Sequence, residues 1–446
     1  MNSQAGKGGG VWRSVWLRLK PTRRRVVVDI LVVLGILLLR LVVDVWAGAH
    51  LRAVSGRIAP EYGGRLDVAS LAPPVVAPAE NRARIAAAAA ALTTLGRSGP
   101  LRESVMLAVT RALPADEARR QVILRQALEG NRLALTVLDE IHSRPEANWD
   151  IGYNDGPRMR LPSLLEIRDL SSVNAAAGTV ALAAGDAGEA ARRAGLGMAL
   201  AGSLGREPNL LVQLIHIAAA GVQARLVQSL LAVGEPSGEA LESLAASIEQ
   251  ERAHDPVVTG LTGELKLVHS AFDDWELGDL SRASRETGVG NRALLWFIRP
   301  GTRAAHARVL EDLHRTIQYA RLRPFEREAQ QLRLPLDEPQ PWWWRKLSPM
   351  FFAGISRAIR SGDEHRAIMM LASTAVALRR FRLERGSYPV SLDELAPALL
   401  PRTPMDPFTG REPDYTRSGT GFALKVSAPP GTQGAPRDLL NWSIPR

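Results

Sequence analysis

The sequence predicts a mainly α protein: an N-terminal transmembrane helix, a body of helical hairpins and a small α+β module at the C-terminus. Three observations carry this. Residues 26–47 are almost uninterrupted apolar sequence. Between residues 79 and 333, apolar residues recur at helical spacing between short breaks that contain Gly or Pro. From Asp363 a long helical pattern runs to Arg385, stops at Gly386, and gives way to turns and an alternating segment at residues 421–426.

Composition narrows the function. Ala, Leu and Arg dominate, which favours helix, and the 46% hydrophobic content is ample for a core. The net charge of +10 is spread along the chain rather than gathered in a basic run interleaved with stacking aromatics. No nucleic-acid partner is expected. There is no cysteine, which excludes disulfides, thiolate metal sites and cysteine nucleophiles.

Residues 1–25 read as a cytoplasmic basic tail: Lys7, Arg13, Arg18, Lys20, Arg23, Arg24 and Arg25 occur with no acid among them, and Trp12 and Trp16 suit a membrane interface. The 26–47 span is about 33 Å long as a helix, enough to cross a bilayer. The positive-inside rule then puts the N-terminus in the cytoplasm and the bulk of the chain in the periplasm or outside the cell, anchored in the cytoplasmic membrane by a single pass. A cleaved signal peptide ending at Ala47-Gly48-Ala49 is the alternative. Asp29, Arg40 and Asp44 interrupt the span; they mark either a charge-paired partner helix or a tolerant single anchor. Residues 48–78, rich in Gly and Pro, form a linker with one short strand expected at 65–68.

The helical body covers residues 79–333. Helices are expected at 81–95, 101–113, 116–130 and 131–142, with connections short enough for antiparallel hairpins. The loop at 145–162 holds Trp149 and Tyr153 among glycines and prolines, and serves either as a packed plug or as a binding loop. Helices at 163–182 and 189–204 flank Gly185-Asp186, where Gly185 is expected at positive φ. That pair resembles a tetratricopeptide-type hairpin, although no second copy recurs at the period of such arrays. Further helices follow at 209–231, 237–251, 260–280 and 292–322. Leu161-Pro162, the Gly185-Asp186 turn and Glu207-Pro208-Asn209, taken with the C-terminal module, resemble a recurring type of uncharacterised membrane-anchored bacterial protein with a helical body.

A Pro- and Trp-rich linker at 334–349 marks a domain boundary. Its Trp342, Trp343 and Trp344, beside Arg345 and Lys346, suit either a lipid headgroup zone or packing of the module on the body.

The module occupies residues 350–446. Met369, Ala372, Val376 and Phe381 form an apolar stripe on its long helix, and the arginines of its last turns suit the negative end of the helix dipole. Gly386 caps the helix, Tyr388-Pro389 extends the chain, and Ser391 with Glu394 opens a second short helix through Leu400. Asp406-Pro407-Phe408 makes a turn before strands at 421–426, Tyr415 and 442–444. This order resembles the globular domain of the type II secretion major pseudopilin. The resemblance implies a small sheet packed on the helix and a setting in a type II secretion or pilus-like system. It does not extend to the pseudopilin's calcium loop, where residues 427–438 offer only Asp438 as a carboxylate. Nor is the module's helix continuous with the membrane span here, so pilus-like polymerisation is not expected.

No phosphate-binding loop, dinucleotide fingerprint, nucleophile elbow or zinc-protease helix motif occurs. The eight histidines are scattered, and the sequence predicts no cofactor and no metal. The reading is therefore a membrane-anchored protein-interaction or scaffold protein and not an enzyme. Its rival is an envelope hydrolase with its site in the 145–162 loop.

Overall fold

The computed structural model describes residues 23–95, 100–110, 117–286, 289–338, 352, 354–427 and 440–444. Trp342, Trp343, Trp344, Asp438 and residues 1–22 of the basic tail lie outside them. The described chain is mainly helical with one small sheet, and it divides into two units.

The first unit joins the N-terminal segment to residues 273–308. Helix α1 (Arg23–Ile58) is longer than the apolar span and runs through the first part of the expected linker. The large apolar residues from Val27 to Leu39 are 40–65% exposed, a sleeve that water would not tolerate and hydrocarbon would. One helix here is thus long and apolar enough to anchor the chain in a membrane. Two of its charges, Arg40 and Asp44, are paired within the unit. Asp44 accepts from Arg40 at 3.4 Å and from Arg303 at 3.2 Å, and the Arg40 guanidinium lies 3.7 Å over the Trp296 ring. A second segment of this chain, rather than a foreign helix, pairs the charges.

The second unit holds everything else. The expected strand at 65–68 is instead a 3-10 turn, Val68–Leu71. The Asp67 side chain accepts from Ser70 N–H at 3.0 Å and offers the backbone a local cap in place of a ladder. Short helices follow: α2 (Arg82–Ala91), α3 (Pro100–Thr110), α4 (Glu117–Gly130) and α5 (Arg132–Leu138). The centre of the body is a hairpin of α6 (Leu164–Ala183) and α7 (Ala187–Gly202), backed by α8 (Leu210–Val233) and α9 (Gly238–Arg252). Gly185 has φ +84° at the turn, and Asp186 caps α7 by accepting from Glu189 N–H at 2.8 Å. No strand interrupts residues 163–230. Helices α10 (Pro256–Glu286) and α11 (Val289–Arg321) each belong in part to this unit, through residues 256–272 and 309–321, and the short α12 (Pro324–Ala329) follows.

Helix α13 (Ile355–Arg385) carries the module. It ends at Gly386 with φ +78°, whose N–H returns to Arg382 O at 2.8 Å. Strands β1 (Asp414–Ser418), β2 (Gly421–Lys425) and β3 (Asn441–Ile444) form an antiparallel sheet in that order, with Leu424 between Tyr415 and Trp442. Tyr388 closes the core edge-on to Phe422 at 5.1 Å, and the Tyr415 hydroxyl donates to Pro389 O at 2.9 Å. Asp406 is buried; its carboxylate accepts Phe408 N–H at 2.8 Å and Ser427 N–H at 3.0 Å, tying the Asp-Pro turn to the end of β2.

Two local expectations change. Ser391 and Glu394 do form a capping box, but only a 3-10 turn, Leu392–Leu395, follows it, since Pro397 and Pro401 remove donors that a longer helix would need. The α13 stripe is also too narrow a description. Residues from Ala367 to Leu378 are buried all round, because α13 meets the sheet on one side and α8 and α9 on the other. One apolar cluster accordingly runs from Met198, Leu230 and Ile248 through Met369 and Val376 to Leu424 and Trp442. Phe381, at the end of the stripe, is only half-buried, with Arg385 5.9 Å from its ring. Arg379 is not a solvated last-turn cation but a buried one, donating to Gly234 O and pairing with Glu235 at 2.8 Å.

Candidate functional site

Within the second unit, three core helices each bring one metal-ligating side chain to the same point: His216 from α8, Glu251 from the last turn of α9, and His365 from α13. All three are buried. Their ligand atoms lie within 4.8 Å of one another, and the two imidazoles meet edge to face at 5.8 Å. His365 Nε2 stands 3.6 Å from Glu251 Oε1, and His216 Nε2 makes a short contact with the same oxygen. Glu251 Oε2 is buried with no hydrogen-bond partner.

The local sequence explains the geometry. Asn209 starts α8 by accepting from Leu211 and Val212 N–H at 3.1 and 3.2 Å. Gln213 and His216 then lie one turn apart on the same face. The Gln213 amide nitrogen donates to Leu204 O at 2.8 Å and Glu207 O at 2.7 Å, so its Oε1 is the atom facing His216 Nδ1 at 3.0 Å. His216 therefore keeps its proton on Nδ1 and turns Nε2 to Glu251. Burial works to raise the Glu251 carboxyl, but its contact with His216 outweighs it and holds the group below the usual carboxylate range. Burial pushes His365 down to about 4, so its ring is neutral.

His365 also faces a cavity of about 680 Å³. Arg252, Arg321, Arg323, Arg366 and Arg402 line it, and the Pro-rich loop from Leu400 to Pro407 makes one wall. Only two acids answer these arginines in the lining, and both are engaged: Glu249 with Arg252 at 2.6 Å, and Asp255 with Arg366. Arg366 also donates to Asp363 at 2.8 Å and Ala320 O at 2.7 Å, which fixes its plane.

The 145–162 loop stands behind this site as a plug. Tyr153 is 1% exposed and its hydroxyl donates to Glu207 Oε2 at 2.8 Å. Trp149, half-buried, donates through its backbone to Glu207 Oε1 and through its indole to Ser203 O at 2.9 Å. These bonds hold the 203–208 turn whose carbonyls orient Gln213. Burial pushes the Glu207 carboxyl up, and the bonds from Trp149 and Tyr153 only partly offset it. Of the other residues singled out from sequence, Gly386, Tyr388, Pro389, Asp406 and Phe408 build the module, and Pro407 also reaches the cavity wall.

The His216, Glu251 and His365 cluster was not legible as a motif, because its members come from three separate helices. The available signal was Gln213 and His216, two polar residues one turn apart in the otherwise apolar run LLVQLIHIAAAGV. Compared with protein-family models, curated proteins and solved structures, the chain matches none.

Proposed function

We propose that this is a membrane-anchored, periplasm-facing interaction protein whose arginine-lined cavity receives an acidic segment of a partner protein. The carrying observation is the cavity itself: five arginines against two engaged acids, with residues of helix α13 in its lining. Guanidinium groups favour carboxylates through bidentate hydrogen bonds, and partial enclosure strengthens that attraction over what open solvent allows. The basic tail before α1 supports an N-terminus in the cytoplasm and a body outside it. The order α13, Gly386, Tyr388-Pro389, Asp406-Pro407 and antiparallel sheet supports kinship with the pseudopilin module, and with it a role beside a type II secretion or pilus-like system.

Full-length protein in detergent should bind a fluorescent oligoglutamate peptide, measured by anisotropy, and release it as salt rises. Arg323→Glu combined with Arg402→Glu should weaken binding at least tenfold. Equal affinity for a neutral peptide of the same length, or no effect of the double variant, would refute the reading. Alkaline phosphatase fused after Arg446 should be active in cells; activity confined to a cytoplasmic reporter would reverse the orientation.

A further inference from the structure

We propose that His216, Glu251 and His365 bind a divalent transition-metal ion of the zinc class. The site is independent of what fills the cavity, and either proposal can fail alone. Two imidazoles and one carboxylate form the nitrogen-rich, borderline donor set that zinc prefers over calcium or magnesium. In a chain without cysteine, a zinc site must be built from such groups.

Three features distinguish the cluster from a buried ion pair. First, the Gln213 amide is locked by backbone carbonyls, and it fixes His216 as the Nδ1–H tautomer with Nε2 directed at the cluster. This is the outer support that metal-bound imidazoles ordinarily have. Second, Glu251 Oε2 is fully buried with no partner, although a structural carboxylate would be expected to satisfy both oxygens. A metal ion, held by one or both oxygens, supplies the missing interaction. Third, His365 lines the cavity, the side from which an ion would enter and where water or a ligand group would complete its shell.

The adjustment required is small. Donor atoms about 2.0–2.1 Å from a tetrahedral ion sit about 3.3 Å apart. His365 Nε2 and Glu251 Oε1 are already at 3.6 Å. The short His216 to Glu251 contact must open to admit the ion, and all three ligand atoms already lie within 4.8 Å of one another.

The test uses full-length protein in detergent, stripped with chelator and then dialysed against zinc or cobalt. Elemental analysis should return about one ion per chain, and cobalt should give the visible bands of a tetrahedral site without thiolate charge transfer. Glu251→Gln, nearly isosteric, and His365→Ala should each lower uptake at least tenfold. X-ray absorption at the zinc edge of the wild-type protein keeps the proposal falsifiable should a variant not fold: the spectrum should show two imidazoles. No uptake by the wild type, undiminished uptake by both folded variants, or an edge spectrum lacking imidazole would overturn the assignment.

Discussion

Gln213 and His216 stand one turn apart on α8, and the amide decides which imidazole nitrogen keeps its proton: Oε1 meets Nδ1 at 3.0 Å while the amide nitrogen is committed to Leu204 O and Glu207 O. The orientation of a fully buried ring is thereby set from a turn outside its own helix. That turn is in turn held by Tyr153 and Trp149 through Glu207. The loop that stands out in the sequence and the site that does not are two ends of one hydrogen-bonded chain.

Gln213→Leu keeps the volume but strands those carbonyls and the His216 Nδ1–H in a dry interior. Each buried group left without a partner costs about 1–3 kcal/mol. The midpoint of denaturant unfolding should fall accordingly, and an unchanged midpoint would show that water takes over the amide's role.

Glu207 carries a pH prediction. Its carboxyl is raised by burial in the folded state, so folding favours its protonated form. Wild-type stability should therefore decline as pH rises from the ordinary glutamate range through the raised folded value. Glu207→Gln cannot ionise, still offers an acceptor, and lacks this slope. The stability of the variant relative to wild type should increase with pH across that window, as read from thermal melts at a series of pH values.

Gly263 permits a close approach of α10 to the same turn. A Cβ there would sit 1.6 Å from Pro208 O, a backbone atom that cannot rotate away. Gly263→Ala should destabilise by about 1–3 kcal/mol. Gly221→Ala on α8 meets nothing within 4 Å and should instead stabilise, by about 0.5–1 kcal/mol. The pair of melts checks both signs.

In the module, Phe422 is 2% exposed and packs edge-on to Tyr388. Phe422→Ala should cost about 3–5 kcal/mol and make the C-terminal segment protease-sensitive. Phe381→Ala, at a half-buried position beside Arg385, should cost clearly less. Equal losses would mean that the end of α13, and not the sheet, holds the module together.

Much was legible in the sequence because it is local. The apolar run of α1, the positive φ of Gly185, the Gly386 stop, and the alternation of Phe422, Leu424 and Val426 each follow from neighbouring residues and backbone stereochemistry. Local competition also explains two misread segments: Asp67 caps a turn where a strand was expected, and prolines halt the helix after Leu395. What only the tertiary structure decided is non-local. Periodicity identifies one apolar face of α13, but its second buried face exists because α8 and α9 pack there. Arg40 and Asp44 of α1 look costly until Arg303 and Trp296 arrive from elsewhere in the chain. His216, Glu251 and His365 have ordinary neighbours and no shared spacing. They become a cluster because the packing of three helices carries them to one point, and no pattern along a single helix encodes that crossing.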